Sequence, residues 1–86
     1  MRVIYKYTIP DWSGSIDMPK NARILNCYVD ENGTHIYALI DKDDTVVKRY
    51  FAIVGTGGYI NESEIVWYIA TCQYGKWVWH IFEVNN

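Results

Sequence analysis

Eighty-six residues, half of them apolar and 21% charged, make a folded chain with a thin core and exclude a disordered one. Eight Lys and Arg against ten Asp and Glu leave a net charge of −2, which lacks both the basic footprint of a generic DNA binder and the acidic excess of a DNA mimic. No apolar run is long enough to span a bilayer, and Lys6 and Asp11 interrupt what a signal peptide would need, so the expectation is a cytoplasmic protein.

Eight Tyr, four Trp and two Phe stand beside many Val, Ile and Thr, all residues that suit a pleated, half-buried surface. No stretch of ten residues carries apolar positions at helical spacing. Residues 1–86 are therefore expected to form a single all-β domain. It would have about six mostly antiparallel strands, curled into a small barrel or sandwich, with little or no helix.

Arg2 to Ile9 reads as the first strand, with Val3, Tyr5 and Tyr7 on one face and Ile4, Lys6 and Thr8 on the other. Pro10 ends it, residues 10–15 carry loop chemistry, and a short segment, Ile16 to Met18, leads into a turn at Pro19-Lys20-Asn21. Ala22 to Asp30 is the second strand. Asn32-Gly33 then predicts a type I′ turn whose register sets Glu31 opposite Thr34, Val29 opposite Ile36 and Cys27 opposite Ala38. The third strand runs to Ile40, residues 41–44 turn, and Thr45 to Val54 forms the fourth.

The last two strands, Ile65 to Tyr74 and Trp77 to Val84, fold back at Gly75-Lys76, a type II′ turn with glycine first. That register puts Trp67, Ile69, Thr71, Val78, His80, Phe82 and Val84 on one face. Tyr68, Ala70, Cys72, Tyr74, Trp77, Trp79 and Ile81 take the other. Both faces are apolar, so both need cover, from the chain's own sheets or from another subunit. A homo-oligomer is the expectation, with Trp67, Tyr68, Tyr74, Trp77 and Trp79 as its candidate interface.

Catalytic and metal chemistry find little support. Cys27 and Cys72 sit in apolar runs, where thiols are expected buried and reduced; a redox or metal role is the alternative. His80 falls on the face opposite Cys72, which separates a nucleophile from its base, and its ring nitrogens are expected to be hydrogen-bonded on an apolar face. His35 follows a turn and is expected to face solvent. The two histidines and two cysteines lack zinc-ligand spacing, and Asp41 to Asp44 lacks the glycine and glutamate of a calcium loop. No G-x-S-x-G elbow is present. The reading is a non-enzyme without metal or cofactor.

Gly55-Thr56-Gly57-Gly58 admits two readings, a plain turn or a loop whose N–H groups receive an anion. In the second, Arg49 and the loop receive phosphate while Tyr59 or Trp12 stacks on a base.

In chain order, Tyr5-Lys6-Tyr7, Met18-Pro19-Lys20, Ile24-Leu25, Ala38-Leu39-Ile40-Asp41, Gly55-Thr56-Gly57, Tyr68-Ile69-Ala70-Thr71 and His80-Ile81-Phe82-Glu83 resemble a small uncharacterised family of phage and prophage proteins. Gly58 stands where its relatives often carry histidine. The resemblance implies a non-enzymatic binding protein, made in an infected bacterium, that counters a host defence. Sequestration of a nucleotide-type signal between subunits is the leading expectation. Direct inhibition of a host effector protein, or a minor virion or assembly role, is the alternative.

Overall fold

Strict alternation in Arg2–Ile9 (β1) turns Val3, Tyr7 and Ile9 inward and leaves Ile4, Lys6 and Thr8 outside. The same physics repeats along the chain: six further strands, each with one apolar side, can bury those sides only by facing another sheet. The computed structural model describes residues 1–85. Its strands are β1, Ser13–Pro19 (β2), Arg23–Asp30 (β3), Gly33–Asp41 (β4), Val46–Gly55 (β5), Ile65–Tyr74 (β6) and Trp77–Val84 (β7), with one 3-10 turn at Glu62–Glu64.

They form two antiparallel sheets in the orders β1-β4-β3 and β2-β5-β7-β6. The layers pack as a sandwich, with β3 lying beside β6 and β1 beside β2. Phe51, Met18, Ile36 and Ile81 are the largest fully buried side chains and fill the space between the layers. Cys27 of β3 and Cys72 of β6 bring their sulfurs to 2.9 Å at the same seam, so the expected buried thiols close one side of the core.

Three sequence expectations change. The loop expected at residues 10–15 yields a strand from Ser13 onward: Ile16 and Met18 alternate into the core, and β2 pairs only with β5, an edge position that tolerates the terminal Pro19. Serine and glycine at its start hid the alternation.

The first hairpin turns one residue early. Its loop is Glu31-Asn32, so Asp30 opposes Gly33 and Cys27 opposes Ile36. Gly33 takes the one positive φ of the turn (124°), and the Asp30 carboxylate accepts from Asn32 N at 2.8 Å, which anchors the bend before the Asn-Gly pair. From Asp30 to Asn26 the partners move by two positions, which keeps each side chain on its expected face; a bulge at Leu25 then shifts the pairing by one more, leaving Leu25 exposed and turning Ile24 to the core beside Cys27.

The second hairpin matches its expected register from Tyr74–Trp77 to Ala70–Ile81, with Gly75 at φ 60°. Beyond it, β6 carries irregularities at Tyr68/Ala70 and Ile65/Trp67. They set Tyr68 opposite Phe82 on the outer face and let Ile69 pack inward, reversing the expected sides of those two residues.

Candidate functional site

The two ends of the sandwich differ in chemistry. At one end Arg49 of β5 donates Nε and Nη2 to the two carboxylate oxygens of Glu83 at 2.8 and 2.7 Å, and Nη1 to the Ala22 carbonyl at 2.6 Å. This fork joins β5 to β7 and reaches across to the segment leading into β3. Asp44 accepts there from Asn21 N, and that bond holds its carboxyl below the usual carboxylate range.

The opposite end is open. A cleft of about 570 Å³ lies between the β1–β2 connection, the β3–β4 turn and the turn end of the last hairpin. Trp12, Tyr74 and Trp79 supply its aromatic wall, and Asp11, Glu31 and Asn32 supply polar groups; no Lys, Arg or His lines it. Local sequence explains the wall. Gly14 leaves room for Pro10, whose ring carbon would lie 3.0 Å from a Cβ there. Asp11 then takes φ 51°, a left-handed conformation aspartate tolerates, and the Trp12 carbonyl accepts from Ile53 N at 2.8 Å. Trp12 is thereby fixed edge-on to Trp79, ring centroids 4.9 Å apart, and Trp77 lies nearly parallel to Trp79 at 6.2 Å. Three indoles thus run in series from the cleft to the β6–β7 turn.

The residues expected to bind a nucleotide do not assemble. Arg49 is committed to Glu83 and Ala22, and six residue steps, about 20 Å of extended chain, separate it from Gly55. In the glycine loop, Gly58 N already donates to the Gly55 carbonyl and Thr56 N to the Val78 carbonyl, with Gly57 at φ 90°. Residues 55–58 therefore take the plain-turn geometry. Gly55 has a further reason to be glycine: a Cβ there would meet Trp79 Cζ3 at 2.9 Å. Tyr59 stands 99% exposed, away from the cleft, and only Trp12 of the ligand set lines it.

The expected interface set divides. Trp67, Tyr68, Tyr74 and Trp77 are exposed, whereas Trp79 packs against the core and lines the cleft. Sequence reasoning thus named three cleft residues, Trp12, Tyr74 and Trp79, but for two different jobs. It missed Asp11 and Glu31, whose only signal was a place in turns flanking aromatic strand ends.

Both histidines are structural in their surroundings. His35, expected at the surface, is 4% exposed on the outer face of the three-stranded sheet. Its ring nitrogens meet Thr8 Oγ1 at 2.9 Å and Asp30 Oδ1 at 2.8 Å, and Tyr28 covers it. Hydrogen bonding to His35, and then to Asn32 N, holds the Asp30 carboxyl below its usual range. The enclosed imidazole ties β1 to the β3–β4 turn. His80 has both nitrogens bonded, to Thr56 Oγ1 at 2.8 Å and Thr71 Oγ1 at 3.0 Å. Among the described residues, no group of three or more His, Cys, Asp or Glu side chains is arranged around a metal position, and no helix is long and apolar enough to cross a membrane.

These features define an all-β sandwich domain, latched by an ion pair at one end and opening into an aromatic, acid-rimmed cleft at the other. The chain belongs to the family of a domain of unknown function, DUF7352, which matches residues 1–86. No curated protein and no solved structure matches it.

Proposed function

We propose that this chain is a non-enzymatic binding module that acts by docking onto a partner protein. The observation that supports the reading is continuity of aromatic surface. Trp12, Trp79 and Trp77 run from the cleft to the β6–β7 turn, where Tyr74 joins them, and Trp12 and Trp77 are each 56% exposed. Trp and Tyr are enriched at binding hot spots because a large, stiff ring gains contact area at small entropic cost.

The motif resemblance supplies the context: a phage or prophage protein in the cytoplasm of its bacterial host, blunting a defence by occupying one of its proteins. Self-association belongs to the same proposal. The outer face of the last hairpin presents Val78, Phe82 and Val84 only half-buried, and a second copy would cover them. The competing expectation, sequestration of a nucleotide, keeps Trp12 and Trp79 for the base but has no cation at the cleft for the phosphate.

Native mass spectrometry of the protein purified from its host tests the proposal. A stoichiometric host polypeptide should accompany the wild type and be absent from Trp12→Ala and Trp77→Ala variants that stay folded. A retained nucleotide, or partner capture untouched by both substitutions, would overturn it.

A further inference from the structure

The cleft carries a charge signature that narrows what enters it. Asp11 and Glu31 stand at its rim, both exposed, and neither carboxylate has a hydrogen-bond or ion-pair partner among the described residues. No positive side chain lines the cleft to neutralise them, while the Trp12, Tyr74 and Trp79 rings, whose π-systems attract cations, form part of the wall. The protein's own surface shows the matching chemistry outside the cleft. Lys76 Nζ sits 5.4 Å from the ring centre of Trp77, the outermost member of the indole row, and Lys42 lies 5.3 Å from the Tyr5 ring.

We propose that the cleft receives an arginine side chain from a partner polypeptide, its guanidinium lying on the Trp12–Trp79 wall and facing the Asp11 and Glu31 carboxylates. The inference rests on the reading above that this cleft is the docking surface, and it adds the chemistry of the docked group. Arginine fits better than lysine for a physical reason. A flat, weakly hydrated guanidinium can stack on an aromatic face while its edge donates to carboxylates; a compact ammonium keeps its water. A polypeptide is favoured over a small cation because the aromatic surface does not stop at the cleft. It continues through Tyr74 to the exposed Trp77, more wall than a single small cation would cover.

The test uses the full chain and two peptides, acetyl-Gly-Arg-Gly-Arg-Gly-amide and its counterpart with citrulline, the neutral isostere of arginine. Binding is followed through the indole N–H resonances of Trp12 and Trp79 in a nitrogen-15 NMR titration. The arginine peptide should shift both saturably, and the citrulline peptide should bind about tenfold more weakly, the scale of a partly desolvated cation–π contact with a carboxylate nearby. Asp11→Asn/Glu31→Gln should give a similar loss; both side chains are exposed, so its melting temperature should match the wild type. Equal binding of the two peptides, indifference to the double substitution, or no shift at millimolar peptide would overturn the proposal. Failure here is distinguishable from failure of the docking reading. If partner capture is lost in Trp12→Ala but kept in Asp11→Asn/Glu31→Gln, the cleft docks something other than a cation. If capture survives Trp12→Ala and Trp77→Ala as well, the cleft is not the docking surface.

Discussion

Arg49→Met separates a structural guanidinium from a ligand-binding one. In the folded chain the Arg49 and Glu83 side chains are 17% and 15% exposed, and three guanidinium nitrogens are used, two on Glu83 and one on the Ala22 carbonyl. Replacing Arg49 strands a largely buried carboxylate, which costs about 3 kcal/mol, the low end for such pairs because some water still reaches this one. A domain of this size has roughly 4–13 kcal/mol in total, so the loss is a large fraction of it. At about 4–8 °C per kcal/mol, the melting temperature should fall by roughly 12–24 °C. Removing the orphan as well, in Arg49→Met/Glu83→Leu, should recover most of the loss and leave about 1 kcal/mol for the unpaired Ala22 carbonyl. Thermal unfolding followed by tryptophan fluorescence reads all three proteins. A single variant that melts within about 4 °C of wild type, a shift below 1 kcal/mol, would refute the latch, as would a double variant no better than the single.

Gly55→Ala should cost about 1–3 kcal/mol and alter near-ultraviolet circular dichroism, since the new methyl displaces Trp79 from 2.9 Å; Gly57→Ala, at φ 90° with open space around it, should cost about 1–2 kcal/mol of backbone strain and leave the aromatic spectrum unchanged. Because Asp30 is held below its usual range by His35, its folded form takes up a proton less readily than the unfolded chain. The stability it adds is full above about pH 4 and disappears as pH falls through the lowered value, so Asp30→Asn should flatten the acid limb of a pH–stability curve; an unchanged limb would show that other carboxylates dominate. Burial, and then the bond to Cys72, pushes the Cys27 thiol far up. A chromogenic disulfide reagent at pH 8 should therefore leave it untouched in the native protein and react with two thiols once urea unfolds the chain; rapid native reaction would contradict the buried seam.

Much of the fold was legible because it follows from local chemistry. Alternation in β1 and the Gly75-Lys76 turn fixed faces and register over most of the last hairpin, and both thiols lie where an apolar run would put them. What failed depends on side-chain bonds and bulges that neither alternation nor turn dipeptides encode. The Asn32-Gly33 signal was overruled by the Asp30 carboxylate, which bonds Asn32 N and the His35 ring across the hairpin, so the turn serves a buried imidazole rather than its own best dipeptide. The faces of Tyr68 and Ile69 changed because β6 bulges, and nothing in Trp67-Tyr68-Ile69 marks a bulge. At the site, Arg49 next to a glycine loop in sequence looked like one constellation. Along an extended strand six residues is a long way, and the acid that claims Arg49 is 34 positions downstream.

The disposition of the tryptophans bears on why the cleft is there. An 86-residue sandwich has few large apolar side chains with which to fill its core, and this one fills it with Phe51, Met18, Ile36 and Ile81. Three of its four tryptophans, Trp12, Trp67 and Trp77, remain more than half exposed, although each ring would bury a large apolar area if turned inward. Nothing in the strand pattern forces this for Trp12. It precedes β2 in a connection where a polar residue would satisfy the turn equally well, and its backbone needs only to offer a carbonyl to Ile53. Folding alone therefore does not account for an indole at that position, held by Gly14 and Pro10 against Trp79 beside two unpartnered carboxylates. The proposed docking role would, because an exposed ring fixed in one orientation is of little use to a core and of direct use to a surface that must grip.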